Sequence, residues 1–435
     1  MKVRIFHIWE TIKTSLWFIP ILLVLFLGIF AFVLIEIDKS LSDSWKIFIY
    51  NGSAEGAQLL LTTIAGSMIT VAGVTFSITL VALTLTSSQF GPRLLRNFMV
   101  DKSNQFVLGI YIATFIYCLL ILRAIQPLEG EIFIPRLAVS FSFVLAVIDL
   151  GFLIYFFHHI STSIRAETVV NSVYKELLET VDTFFQDNQE EYLLEEKTPE
   201  EPDFSKDTLE IKSQHSGYLR AIDISGLLNF AVKENLIIKV KYRPGDYVFT
   251  NSILALIISD EKPADKLSEK VNNMVLVGKS RSPEQDIEFA LHQLVEVALR
   301  ALSPGINDPY TAINCIDYIA DFICRVNEMN FPSQYRYDKE GHLRLLLDVF
   351  TYEGIVNAAF NQIRQIAADN VAVNIRLLET LKYISQTARN EDQYNSIKRH
   401  AEMIYNSVKE QIGEKKDLED IKERFQSIYK VLENE

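Results

Sequence analysis

Cysteine is nearly absent: the chain has three in 435 residues, Cys118, Cys315 and Cys324. None pairs with another at a metal or redox spacing, so no disulfide framework is expected and a reducing compartment is the natural reading. The seven histidines are scattered. A P-loop, a GxSxG elbow, an HExxH helix and a dinucleotide fingerprint are all missing. The expectation is therefore no enzyme, no catalytic residue, no metal site and no cofactor. Basic charge is also short. Against 55 Asp and Glu stand 42 Lys and Arg, a net charge of −13. Most of it falls after residue 160, which argues against a nucleic-acid partner. No internal repeat of fixed period stands out.

Long apolar runs, by contrast, dominate the first third. The composition is 49% hydrophobic. Four runs, Trp17–Ile37, Leu59–Ser87, Phe106–Leu122 and Leu137–Phe157, are each near the ~20 residues a helix needs to cross a bilayer core of about 30 Å. The second is longer, and at 1.5 Å per residue its roughly 30 residues reach about 45 Å, so it must tilt or project into water. The first run is too long for a cleavable leader and no small-residue cleavage site follows it.

Charge orients these spans. Lys2, Arg4 and Lys13 precede span one; Arg93, Arg96 and Lys102 lie between spans two and three; Arg165 follows span four. Asp38, Asp43, Glu55, Glu129 and Glu131 mark the other side, diluted by Lys39, Lys46 and Arg136. By the positive-inside rule both termini lie in the cytoplasm, and the expected location is a membrane crossed several times.

The fold class expected is an α-helical membrane domain, residues 1–160, followed by a cytoplasmic α+β region. Residues 161–207 read as a juxtamembrane helix, with Val170, Val173, Tyr174, Leu177, Leu178, Val181 and Phe185 at helical spacing, then an acidic linker, Glu195–Asp207. Residues 208–262 read as a small β domain with a turn at Arg243-Pro244-Gly245-Asp246. Segments SGYLRAID and RPGDYVFTNSILALI resemble the barrel-sandwich hybrid of lipoyl and biotinyl carriers. Those carriers need a hairpin lysine, and none lies between Arg243 and Asp260. Residues 263–435 read as helical. Ser282 is expected to cap a helix opened by Pro283, with Gln285 completing a capping box. Further helices are expected near Pro309–Val326, His342–Gln365, Val371–Thr387, Glu391–Lys409 and Leu418–Leu432.

Two strings, Thr84–Phe98 (TLTSSQFGPRLLRNF), continued by Leu108–Tyr117, and Ala298–Ala312 (ALRALSPGINDPYTA), resemble the bacterial membrane-protein family called domain of unknown function 2254. The resemblance covers nearly the whole chain. It implies a few transmembrane helices and a cytoplasmic portion, and no established activity comes with it.

Candidate sites follow from the residues. Thr63, Thr70, Ser77 and Thr84 recur every seven positions, with Gly66 and Gly73 beside them. Such a stripe lines a polar path in an oligomer or, alternatively, lets helices pack closely. Asp149 sits about 18 Å into span four at 1.5 Å per residue. An ionisable group there costs at least ~2.5 kcal/mol, so it should face protein or water, as a cation site, a proton relay or a partner for a span-two hydroxyl. His158 and His159 read as interfacial. Gly91-Pro92 ends span two, and Arg93 and Arg96 then contact lipid headgroups or form a gate. In SPGINDPYTA, Pro304-Gly305 turns the chain and Asn307 or Asp308 caps the next helix. Arg300, Ser303, Pro304, Gly305, Asn307 and Asp308 form a candidate ligand or subunit contact, with Arg300 near enough in sequence to pair with Asp308.

The leading expectation is an oligomeric channel or transport-type protein with span two lining the path and cytoplasmic domains assembling or gating it. The alternative is a membrane-anchored sensor or scaffold. Partners expected are the lipid bilayer, further copies of the chain and an ion or small ligand.

Overall fold

The computed structural model describes residues 15, 17–40, 50–92, 101–125, 127–128, 131–187, 202–204, 208–259, 266–283 and 285–432. Arg93, Arg96, Lys2, Arg4, Lys13 and most of the linker Glu195–Asp207 lie outside them. The chain divides into two units, Met1–Thr168 and Val169–Glu435.

The first unit holds four long helices, α1 (Phe18–Ser40), α2 (Ala54–Phe90), α3 (Lys102–Ala124) and α4 (Arg136–Ser163), each long and apolar enough to cross a membrane. A two-residue ribbon, β1 (Pro127–Leu128) and β2 (Glu131–Ile132), joins the last two. The centre is α3, which packs against α1, α2 and α4 and is the most buried of the four. Gly109 lets α1 approach. A Cβ there would meet Leu23 Cδ1 at 2.8 Å and Pro20 Cα at 2.9 Å, so only a missing side chain permits the crossing. On α3, Tyr117 is fully buried, donates its hydroxyl to the Ala138 carbonyl (2.8 Å) and packs edge-on against Phe141.

Helix ends are built from side chains. Ser53 caps α2 through the Gly56 amide (3.2 Å). At its other end Gly91 adopts φ +117° and donates to the Ser87 carbonyl, so the helix stops where Gly91-Pro92 was expected to stop it. Pro135 gives α4 no cap of its own. Asp38 of α1 supplies one, accepting from the amides of Leu137 and Ala138 at 3.0 Å each.

Helix α5 (Ala166–Asp187), which runs into the second unit, buries Val170, Val173, Tyr174, Leu177, Val181 and Phe185 of the stripe expected; Leu178 is half-buried, and Val169 joins the buried set. A five-stranded sheet has the order β3 (Thr208–Lys212), β7 (Ile253–Ser259), β5 (Leu236–Val240), β10 (Leu343–Leu346), β9 (Tyr335–Tyr337), with only β10 and β5 parallel. A three-stranded sheet runs β6 (Tyr247–Val248), β4 (Gly217–Ile222), β8 (Val275–Gly278). Short helices α6 (Ile224–Lys233) and α7 (Lys266–Asn273) complete this part, and their Leu227, Phe230 and Val271 join Leu219, Ile238, Ile257 and Leu345 in one core.

A barrel-sandwich is not confirmed. β8, β9 and β10 come from sequence that reads as helical, and β10 adds to β5 across a hundred residues. The helix expected over His342–Gln365 is β10 followed by α10 (Tyr352–Ile366). The remaining helices, α8 (Ile287–Ala301), α9 (Pro309–Asn327), α11 (Val371–Thr387), α12 (Glu391–Gln411) and α13 (Lys415–Leu432), pack about buried Leu294, Ile319, Phe322, Phe360, Leu377 and Ile404.

Candidate functional site

Helix α2 has 37 residues, roughly 55 Å at 1.5 Å per residue. One face, with Leu61, Ile64, Ala65, Ala72, Thr75, Ala82 and Thr86, is buried, and the helix packs against α3 and α4. Thr63, Thr70, Ser77 and Thr84 lie on the opposite face and are exposed, as are Gly66 and Gly73. Among the described residues, no atom beyond the helix's own adjacent backbone would come within 4 Å of a Cβ at either glycine. The stripe therefore packs against nothing among the described residues. Each hydroxyl donates to the carbonyl four residues back: Leu59 for Thr63, Gly66 for Thr70, Gly73 for Ser77 and Leu80 for Thr84, at 2.7–2.9 Å. The protons are satisfied, and what the stripe presents outward is small, acceptor-bearing oxygen.

Asp149 is not part of this face. It is 1% exposed, inside the bundle. Its neighbours are Tyr111, Thr114 and Cys118 of α3, all buried, so the hydroxyl it faces belongs to span three rather than span two. Neither carboxyl oxygen, nor Thr114 Oγ1, nor Tyr111 Oη closes a hydrogen bond of ordinary geometry. His159 meets Asp101 at 2.6 Å. His158 is exposed.

In the second unit, SPGINDPYTA forms a tight link between α8 and α9. Asp308 caps α9, accepting from the Thr311 amide (3.1 Å) and hydroxyl (2.6 Å). Asn307 takes a left-handed φ of +49° and donates its amide to the Ser303 carbonyl. Ser303 Oγ turns back to the Arg300 carbonyl. Arg300 pairs with Glu296 (3.5 Å), and the two oxygens of Asp308 go to Thr311 instead. A helix i,i+4 partner is nearer than one across the turn, which is why the expected pair does not form. Pro304, Gly305 and Asn307 are exposed, with Ile306 and Tyr310, the latter 82% exposed, beside them.

A second cluster gathers around the turn that the sequence predicts at Arg243-Pro244-Gly245-Asp246. At Arg243–Asp246, Gly245 adopts φ +104°, and a Cβ there would meet Asp286 Oδ2 at 2.5 Å and Arg281 Nη2 at 2.9 Å. Arg281 forks onto both oxygens of buried Asp286 (2.7 and 2.8 Å). Arg243 pairs with Glu288 (2.9 Å) and lies over the Phe350 ring. Burial pushes the Glu288 carboxyl up against the pull of Arg243. Asp286, not Ser282, caps α8 through the Phe289 amide. Gln285 instead brackets Ile222, accepting from its amide (2.9 Å) and donating to its carbonyl (3.3 Å), while Ser282 accepts from Arg220. Ser282 and Gln285 are thus spent on strand β4. No local spacing announces that use.

On the β9–β10 hairpin, Asp338, Glu340 and His342 come within 4.8 Å of one another. Burial works to raise Asp338, but the amides of His342 and Glu340 and the Arg344 guanidinium outweigh it and hold the carboxyl at about 2. With those donors in place the cluster locks a turn and offers a metal little. His400 of α12 is fully buried against α10; its Nε2 meets Asn357 Oδ1 (3.0 Å), and among the described residues its Nδ1 has no partner. Burial, with Arg399 and Arg364 beside it, pushes the imidazole down to about 4.

A family model described as "Predicted membrane protein (DUF2254)" matches residues 13–383. An uncharacterized protein of Mycobacterium tuberculosis (strain CDC 1551 / Oshkosh) is 29% identical over 373 residues, covering 85% of this chain and 71% of its own. Uncharacterized proteins of Mycobacterium bovis and of Mycobacterium tuberculosis strain H37Rv align with the same identity and coverage. No solved structure matches.

Proposed function

We propose, for a chain that belongs to the DUF2254 family of predicted membrane proteins, that it assembles as a homo-oligomer in a bacterial inner membrane. The hydroxyl face of α2 meets its copies there and borders a path for ions or small polar solutes. The observation that carries this reading is the direction of the stripe. Thr63, Thr70, Ser77 and Thr84 face away from the chain's own bundle, and Gly66 and Gly73 have open space over them. Small residues let helix backbones approach closely in lipid, where close packing is what drives association. With each hydroxyl proton given to the backbone, the outward oxygens are acceptors, which suits a cation better than an anion. The positive-inside distribution supports cytoplasmic termini and a cytoplasmic second unit that steadies or gates the assembly. No role in chemistry is assigned to any residue.

The test is the mass of the protein in nanodiscs, followed by cation flux into proteoliposomes. An oligomer whose flux falls when Thr70 and Ser77 are replaced by valine supports the reading. A monomer that seals its vesicle ends it.

A second reading, a membrane-anchored sensor, is favoured by one observation: Ile306 and Tyr310 stand exposed on a turn whose Ser303, Ile306, Asn307 and Asp308 amides are hydrogen-bonded to its own backbone. If an unrelated membrane anchor in place of α2–α4 preserved function in cells, the sensor reading would replace the channel.

A further inference from the structure

The Asp149 pocket differs in kind from the outward stripe. Among the described residues of the four spans, basic side chains stand only toward the helix ends: Lys39, Lys102, Arg123, Arg136, His158 and His159. Asp149 is an acid in the apolar interior of the bundle without a cation beside it. It is 1% exposed, and among the described residues neither carboxyl oxygen closes a hydrogen bond of ordinary geometry. From α3 it is faced by the Thr114 hydroxyl, the Tyr111 phenol and the Cys118 thiol, and the oxygens of the first two are themselves buried and close no hydrogen bond of ordinary geometry among the described residues. A bare carboxylate in that setting costs several kcal/mol that no ion pair returns. A neutral acid does not carry that cost, and its O–H has an acceptor at hand in Thr114 Oγ1.

We propose that Asp149 is a reversible proton-binding site within the membrane, with Thr114 as its hydrogen-bond partner and Tyr111 closing the pocket. In the packed bundle the carboxyl carries its proton. When α3 and α4 part enough to admit water, the O–H bond of the acid breaks, the proton leaves on a water molecule and the electron pair stays on the carboxylate. The site lies inside each subunit, so it does not depend on the α2 face or on oligomerisation.

The experiment is infrared difference spectroscopy of the reconstituted full-length protein across a pH series, with Asp149→Asn, Asp149→Glu and Thr114→Val. The expected result is a protonated-carboxyl carbonyl band that is lost as pH rises and is absent in Asp149→Asn. Asp149→Glu should keep a band at a displaced frequency, which covers the case that the asparagine variant does not fold. Thr114→Val should move the band upward, since a carboxyl that has lost a hydrogen bond stretches at higher frequency. A purely packing threonine would not do this. Three results would overturn the proposal. One is an Asp149 that is ionised at every pH. Another is one that stays protonated at every pH. The third is a band removed by sodium at fixed pH, which would make the site a metal-cation site. The same spectra in monomer-sized nanodiscs separate a failure here from a failure of the oligomeric path.

Discussion

Asp101 and His159 meet side chain to side chain at 2.6 Å, pinning the start of α3 to the last turns of α4. Asp101 also caps α3 through the Ser103 amide (2.9 Å). Tyr155 stacks flat on His159 and reaches Ser103 with its hydroxyl (3.1 Å). One carboxylate thus serves two helices. Replacing Asp101 with alanine removes both a cap and a cross-helix contact, and a loss of about 1–2 kcal/mol is expected. A fall in the thermal midpoint in detergent, larger than that of His159→Ala alone, is the check.

His400 makes stability depend on pH. Its pKa is 6.5 when unfolded and is pushed to about 4 when folded. Below pH 6.5 the unfolded chain takes up a proton that the folded one refuses. Stability is therefore whole above 6.5, falls as pH drops toward 4 and levels below that. A shift of that size corresponds to about 3 kcal/mol at 1.36 kcal/mol per unit. Denaturant midpoints of wild type and His400→Gln at neutral pH and near pH 4.5 should differ chiefly at the acid end. Parallel pH curves for the two proteins would refute it.

Gly245 is held against the Arg281–Asp286 fork in a left-handed conformation. Alanine there is strained twice, by φ and by a Cβ placed on the carboxylate. A loss of about 2–3 kcal/mol is expected from the overpacking and backbone terms together. Limited proteolysis of the second unit at rising temperature would register it as earlier cleavage, while Gly305→Ala, with nothing within 4 Å of its Cβ, should behave as wild type.

Two glycines in the membrane helices separate subunit from assembly. Gly109→Ala drives a methyl into Leu23 and Pro20 and should lower the stability of each subunit by about 1–3 kcal/mol. Gly73→Leu has open space around it, so the subunit should melt unchanged while the mass in nanodiscs falls. Equal masses for Gly73→Leu and wild type would count against an α2-mediated contact.

Several features were legible residue by residue. The expected helices over Val371–Thr387 and Pro309–Val326 match α11 and α9 to within a residue, because Asn370 and Asp308 cap them locally and the apolar spacing continues without interruption. The stop at Gly91-Pro92 needed only the two residues themselves. The failures involve partners far away in sequence. Ser282 and Gln285 match a helix start, yet they are bonded to Arg220 and Ile222, some sixty positions earlier. The LRLL of β10 reads as the opening of a helix until β5 offers it a parallel edge.

For this protein the sequence by itself determined that four helices can cross a membrane, that Gly91-Pro92 stops the second, and that a helix-rich α+β region follows. Length, hydropathy and capping act within a few residues, so they can be read from a string. Only the tertiary structure decided which way each polar group faces. The α2 hydroxyls point away from the bundle and Asp149 points into it, toward Thr114 of α3. Helical periodicity fixes which residues share a face. Which face is covered depends on the neighbouring helices, and their order is set by packing contacts such as Gly109 against Pro20, which no local pattern encodes.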